Sequence, residues 1–351
     1  MANRAESNPT TSPSITQGGR LTPELISHYN RPGPRYTSYP TAPLMKESFD
    51  PATYGEALST GSSTRPLSLY FHLPFCKSLC LYCGCHMMVT NQPERIEQYL
   101  EFLFREIEMV SGTVSGDRVV THLHWGGGTP TYLGANQMSR LIAHIRESFR
   151  IAPEGEVGVE ADPRTLTAEH VEVLREGGFN RVSLGVQDLD PDVQQAIGRI
   201  QPESLVAESM RMLRDAGFDR ISLDLIYGLP HQSRASFRQT LEHVVAMGPE
   251  RLSLFSYAHV PWLKKHQRAI PSDALPSPVE KLELFLDAID YLTDAGYRHV
   301  GMDHFARSDD PLCVAQDEGR LHRNFQGYAT DAGCDLLGLG LSSISQLDRM
   351  Y

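Results

Sequence analysis

REGGFNRVSLGVQ (175–187) recurs as RDAGFDRISLDLI (214–226) and, more loosely, as TDAGYRHVGMDHF (293–305), while MGPERLSLF (247–255) keeps part of the phrase. Each copy closes a helical pattern, turns on glycine or Gly-Pro, and enters an alternating apolar stretch. Glycine suits the left-handed position that ends a helix, and the stretch after it suits a strand. The arginines at 181, 220, 251 and 298 stand 39, 31 and 47 residues apart, which is the spacing of repeated strand–helix units.

The series extends towards the amino terminus. LSLYFHLP (67–74), VVTHLHWGG (119–127) and EVGVEADP (156–163) read as strands. Further strands begin near Arg181, Arg220 and Arg251, another lies near Val300, and one more is expected at 336–341. Helical patterns fill 93–110, 136–149, 167–177, 203–216, 234–247 and 279–295, and Thr167, Ser204 and Ser233 are suited to cap three of them. Alternation of this kind calls for parallel strands joined by right-handed crossovers. The fold class is therefore α/β, either a barrel or an open doubly wound sheet, with functional residues at the carboxyl ends of the strands.

Composition narrows the setting. The chain has 351 residues, 40% of them hydrophobic and 21% charged, as in a soluble globular protein. A net charge of −11 argues against a general attraction to nucleic acid or an anionic membrane. Residues 1–20 hold Ile15 as their one large aliphatic side chain after Met1 and are rich in Ser, Thr, Pro and Gly. They read as a disordered leader, not a secretory signal. No run reaches the length of a membrane span, so the expected location is the cytoplasm.

Four of the six cysteines fall in Cys76-Lys-Ser-Leu-Cys80-Leu-Tyr-Cys83-Gly-Cys85, directly after the first strand. Without an export signal such a cluster reads as metal or redox chemistry, not a disulfide framework. Structural zinc sites take two ligand pairs from separated segments, and no second pair is evident. Three soft thiolates from one loop suit an iron–sulfur cluster and leave one iron open. Cys313 and Cys334 read as small buried hydrophobes. His72, His122, His124, His304 and His322 read as hydrogen-bonded core or substrate contacts in preference to metal ligands. The glycines of HWGGGTP (124–130) let backbone approach a ligand closely.

The cysteine spacing resembles the radical S-adenosylmethionine superfamily. That resemblance implies a [4Fe–4S] cluster on Cys76, Cys80 and Cys83, with S-adenosylmethionine on the open iron as the source of a 5′-deoxyadenosyl radical. Tyr82 matches the aromatic residue before the third cysteine. HWGGGTP is similar to the segment that grips the methionyl amino group, with Thr129 at the usual acidic position. Within the superfamily, PRYTSYPT (34–41), YFHLPFCKSLCLYCGC (70–85), LHWGGGTPTYL (123–133), VEADPR (159–164), GVQD (185–188), DLIYGLP (224–230), GMDHFAR (301–307) and LHRNFQGY (321–328) resemble oxygen-independent coproporphyrinogen III oxidase. The likeness runs from about residue 20 to Tyr351.

This resemblance implies a (β/α)6 partial barrel with an N-terminal extension. It also implies a coproporphyrinogen dehydrogenase activity in haem synthesis, turning two propionates of coproporphyrinogen III into vinyls to give protoporphyrinogen IX. Tyr70, Gly127, Glu160 and Ile344 match contacts to the cluster-bound S-adenosylmethionine. Tyr82, Gly84, Gly128, Thr129, Gln187, Arg199, Asp224 and Ala258 match cofactor contacts of the same kind, most of them to a second S-adenosylmethionine. Cys85 matches a fourth, non-ligand cysteine beside that second molecule. Tyr70 and Cys85 are the candidates for a catalytic role, and Arg35 and Arg323 for the substrate carboxylates, as planar bidentate donors.

The implied partners are coproporphyrinogen III and an electron donor such as a flavodoxin or ferredoxin, acting on a monomer. The expected divisions are a leader (1–20), an extension contributing to the active site (21–66), the barrel (67–310) and the start of a post-barrel region (311–351). The family continues into a helical C-terminal domain, which on this resemblance the chain is expected to lack. The competing readings are a haem-binding chaperone of the same superfamily and a catalytically inactive truncated form. Cys85 and the PRYTSYPT and HRNFQGY phrases favour the oxidase.

Overall fold

The computed structural model describes residues 41, 44–46, 50–330, 333–347 and 350–351. The leader and Arg35 lie outside the described residues. Among the described residues nine strands form the main sheet: β1 (Leu67–Leu73), β2 (Val119–Gly127), β3 (Arg150–Ala161), β4 (Arg181–Gln187), β5 (Ile221–Tyr227), β6 (Arg251–Ser256), β7 (Tyr297–Gly301), β8 (His304–Arg307) and β9 (Asp335–Leu339). Their order is β9-β1-β2-β3-β4-β5-β6-β8-β7. β1 to β6 run parallel, each beside the next, and β9 adds a parallel strand next to β1. The edges are β9 and β7, so among the described residues the arc stays open. This is the partial barrel that the resemblance implies, and of the two arrangements left open by periodicity it is the curved one.

The helices are α1 (Pro51–Thr60), α2 (Pro93–Thr113), α3 (Ala135–Ser148), α4 (Ala168–Glu176), α5 (Pro191–Ala196), α6 (Glu203–Asp215), α7 (Arg234–Ala246), α8 (Pro278–Asp294) and α9 (Pro311–Asp317). α2 shows why they pack: Ile96, Leu100, Leu103, Ile107 and Val110 recur at three- and four-residue steps on one buried face. β1 buries Leu67, Leu69, Phe71 and Leu73, as expected of a parallel strand covered on both sides. After α4, α6, α7 and α8 the chain leaves through Gly178, Gly217, Gly248 and Gly296, all with φ between 69° and 89°. The repeated glycine is thus the left-handed stop that returns each crossover to its next strand.

Three expectations are corrected. Ser204 is not a cap, because α6 begins at Glu203 after Pro202; Thr167 and Ser233 do cap α4 and α7. β3 begins at Arg150, six residues before the alternation that announced it. The phrase 293–305 is not one strand. Gly301 (φ 154°) and Met302 (φ 48°) reverse the chain, and β8 then inserts antiparallel between β6 and β7. No described helix is long and apolar enough to cross a membrane.

The repeated arginines have a second use. Arg181 and Arg251, at the amino ends of β4 and β6, are buried with Asp310. Arg251 Nε lies 2.9 Å from Asp310 Oδ1 and its Nη2 3.2 Å from Glu156 Oε2, while Arg181 Nε lies 3.1 Å from Glu156 Oε2. Burial alone would raise the Glu156 carboxyl, but the Arg251 and Arg181 charges outweigh it and hold it well below the usual carboxylate range. A carboxyl depressed in the folded state contributes stability above its unfolded pKa of about 4.3, and that contribution is lost as pH falls. Removing one member strands a buried opposite charge. Arg251→Leu is therefore expected to cost on the order of 3–5 kcal/mol at pH 7 and progressively less towards pH 3, read by urea unfolding across that range.

Candidate functional site

Past the end of β1 the chain enters the cysteine loop. Phe75 is buried edge-on against Tyr99, and Phe75–Cys76 pair in parallel with Met88–Val89, so both ends of the loop are pinned. Inside it, Leu81 N–H donates to Ile197 O at 2.8 Å and Cys83 N–H to Cys80 O at 3.1 Å. Cys76, Cys80 and Cys83 line one end of a cavity of about 990 Å³ at the carboxyl ends of the strands. Cys76 Sγ sits 3.4 Å from Thr129 Oγ1.

Two guanidiniums face the second cysteine. Arg164 Nη2 lies 3.5 Å and Arg199 Nη1 3.6 Å from Cys80 Sγ. Both are held by Asp162 Oδ2, at 2.7 and 2.9 Å. Burial pushes the Cys76 thiol up to about 11. A hydrogen bond from Cys85 outweighs burial at Cys83 and brings that thiol down to about 6, with help from His266 and Lys264. The hydrogen bond with Cys83, then burial and the Cys83 charge, hold the Cys85 thiol well above its ordinary value. Asp162 and Arg164, within VEADPR, carry a sequence signal of their own, an acid–base pair two residues apart at a strand's carboxyl end.

The three glycines of HWGGGTP each have a steric reason. A Cβ at Gly126 would stand 2.9 Å from Glu160 Oε1, at Gly127 2.7 Å from the His72 ring, and at Gly128 2.6 Å from the Pro74 carbonyl carbon. At Gly127 φ is also 111°. With no side chains intervening, Gly127 N–H reaches Glu160 Oε2 at 3.3 Å, and His124 Nε2 lies 3.4 Å from Glu160 Oε1.

Further round the cavity, Gln187 takes φ 68° at a register shift between β4 and β5. Left-handed backbone in a non-glycine residue is strain of the sort found at binding sites. Asp224 accepts from Ser183 Oγ at 2.9 Å, and burial together with the Glu160 charge raises its carboxyl to about 6. Arg199 donates to Gly185 O at 2.7 Å, while its buried Nε has no hydrogen-bond partner among the described residues.

The cavity thus gathers the expected Tyr82, Gly84, Cys85, Gly127, Gly128, Thr129, Glu160, Gln187, Arg199, Asp224 and Ala258 around the three cysteines. Tyr70 and Ile344 do not line it. Tyr70 stacks on His124 at 6.2 Å and its hydroxyl lies 3.2 Å from His72 Nδ1, beside Glu160. Ile344 follows β9, with its backbone pressed against Gly338. Arg323 is also elsewhere, stacked on Tyr328 and 3.7 Å from Asp303. Cys313 is buried and Cys334 half-buried.

The donor set fits an iron–sulfur cluster. Three soft thiols share one wall, with cationic groups beside Cys80 and Cys83 to offset thiolate charge. Among the described residues no three His, Cys, Asp or Glu side chains are placed to hold one metal ion. Cluster thiolates each take a different iron and stand further apart than ligands on a single ion.

Comparison with known proteins agrees with this chemistry. Residues 70–244 match the model of the Radical SAM superfamily. The chain is 48% identical over 327 residues to an oxygen-independent coproporphyrinogen III oxidase of Salmonella typhimurium, covering 93% of this chain and 71% of that protein. It is 44% identical over 343 residues to one from Synechocystis, covering 97% and 73%. The solved structure of Escherichia coli coproporphyrinogen III oxidase, described as a radical SAM enzyme, superimposes with a TM-score of 0.86 at 47% identity, covering 89% of this chain and 72% of that one.

The ligand assignment has a direct test. After anaerobic reconstitution, Cys76→Ser, Cys80→Ser and Cys83→Ser are each expected to lose most of the bound iron. Cys85→Ser is expected to keep the full complement, read as iron and sulfide per chain.

Proposed function

The chain belongs to the oxygen-independent coproporphyrinogen III oxidases of the radical SAM superfamily, and from that premise we propose that it oxidatively decarboxylates two propionates of coproporphyrinogen III to vinyls. The observation carrying this reading is the joining of the three-cysteine loop to a single large cavity lined by Glu160, Gln187, Arg199 and Asp224. The cofactors are a [4Fe–4S] cluster and S-adenosylmethionine, which together supply a 5′-deoxyadenosyl radical able to take hydrogen from the propionate β-carbon.

The protein's own groups then have these tasks. Cys76, Cys80 and Cys83 are the cluster ligands, and Arg164 and Arg199 steady the Cys80 thiolate. Glu160, fixed by Gly127 N–H, is the acceptor for a methionyl ammonium, with Tyr70 buttressing it through His124. Arg199 Nε and the Asp224 carboxylate are left to a second S-adenosylmethionine. The cavity's volume, at the upper end of the range of about 300–1,000 Å³ for small-molecule sites, supports more than one occupant. Lys77 lines the cavity and is exposed, which suits a substrate carboxylate better than Arg323, which lies away from the cavity against Tyr328. We place the enzyme in the cytoplasm as a monomer supplied by a flavodoxin- or ferredoxin-like donor. Held by Cys76, Cys80 and Cys83, the cluster would relay one donor electron to each S-adenosylmethionine, and an external one-electron acceptor would take the electron the substrate gives up as carbon dioxide departs.

The test is an anaerobic assay of the reconstituted protein with coproporphyrinogen III, S-adenosylmethionine and a reductant. Protoporphyrinogen is expected with one 5′-deoxyadenosine per vinyl formed. A filled cluster giving neither product, with tight haem binding, would instead favour the chaperone. Asp224 offers a second test. Its raised pKa means that the folded protein binds the proton more tightly, so this group's stability is full below its unfolded value of about 3.9 and is lost as pH rises through about 6. Asp224→Asn should therefore unfold later at pH 7, by on the order of 2 kcal/mol. It should also turn over more slowly and lose the inflection near pH 6 in its rate profile.

A further inference from the structure

The segment after β6 reaches back across the mouth of the cavity to the cysteine loop. Gln267, fully buried, accepts from Val260 N–H at 2.6 Å through Oε1. Its Nε2 donates to Tyr82 O at 2.9 Å and Ala258 O at 3.2 Å. His266 Nε2 donates to Cys83 O at 2.8 Å, and Lys264 Nζ donates to Cys85 O at 3.0 Å. Three side chains within four residues thus take three carbonyls of the four-residue stretch 82–85.

The placement matters because of the sheet order. The cysteine loop follows β1 and the 264–267 segment follows β6, the first and last of the six consecutive parallel strands, with β2 to β5 between them. An open arc has no hydrogen bonding between its end strands, so the spacing of these two rims over the cavity must be fixed by something else. The hydrogen bonds from Gln267, His266 and Lys264 do so, and they act on the backbone that carries Cys83. They leave the thiols themselves free for ligation.

Resting on the reading that the loop holds a cluster, we infer that Lys264, His266 and Gln267 form a clasp that fixes the cysteine loop from the far side of β2 to β5. They are positioning residues: they limit opening of the loop, and with it the access of water and oxygen to the cluster. Arg268 is the internal control, since it lies on the same turn, is exposed, and donates to Pro261 O at 3.2 Å, not to the cysteine loop.

The first readout needs no cluster. Hydrogen exchange of the amides at 80–90 in cluster-free protein reports opening of the loop. The double variant Lys264→Met/His266→Ala is expected to speed it by about five-fold per hydrogen bond removed, with an unchanged melting temperature. Lys264→Arg and His266→Gln should exchange as wild type, as should Arg268→Ala. In reconstituted protein the double variant should take up the same iron but bleach in air several-fold faster. Gln267→Ala removes a buried group and, provided it folds, should show the larger effect. Wild-type exchange in the double variant would overturn the clasp, as would equal acceleration in Arg268→Ala. Both readouts are independent of porphyrin chemistry. A protein that failed to oxidise coproporphyrinogen would therefore sink the proposed substrate and leave the clasp standing or falling on its own.

Discussion

Two buried guanidiniums, the buried Asp310 and the half-buried Glu156 under the amino ends of the strands set the level from which the barrel is built. Arg181 and Arg251 share Glu156 and Asp310, and the register follows from that meeting. Gly158 pairs with Arg181, Val182 with Ile221 and Ser222 with Arg251. Buried ion groups tolerate little displacement, because a charge drawn out of register loses its partner without regaining water. With one end fixed, strands of similar length finish together at the other. Gln187 and Asp224 arrive at a common rim for this reason, having no direct contact with the ion cluster.

The repeated phrase carried much of this on its surface. A glycine after apolar helical spacing, followed by an arginine and alternation, encodes stop, floor and strand in one motif, so the parallel strands β1 to β6 were legible. What escaped notice was the pairing between copies. Nothing in the string RVSLGVQ or RLSLF says that their arginines converge on Glu156, since that depends on the curvature of the sheet. The reversal at Gly301–Met302 was hidden for a related reason: GMDHF keeps the alternation of a strand on both sides of the turn, and only the edge position of β7 makes the reversal possible.

The site was legible in a different manner. Its cysteines and glycines announce themselves because few other residues could stand there, as the close approaches at Gly126, Gly127 and Gly128 show. Glu160, Gln187, Arg199 and Asp224 were recognised through resemblance to a family, each alone being an ordinary polar residue near a strand end. Asp162 and Arg164 lay in a quoted phrase without a role, and Lys264 to Gln267 lay in none. Their contribution is visible only once loops from β1, β3 and β6 are seen at one place.

Polarity is distributed around the cavity in a way that explains why so many buried charges are tolerated there. Asp162 is buried and would ordinarily be neutralised by that burial, yet two guanidiniums keep it ionised. Those same guanidiniums each turn one Nη towards Cys80. At Asp224 burial and the Glu160 charge outweigh the Ser183 and Ser253 hydroxyls and His304, and it is driven the other way, towards the neutral acid. One carboxylate is thus satisfied by the protein and the other is left under-satisfied, in the same cavity. A group kept poorly solvated and poorly paired gains most from a polar or cationic ligand. The ion network beside the cysteines accordingly serves to hold the loop, and the strained side of the cavity, Gln187 and Asp224, is where a ligand would add the most interaction.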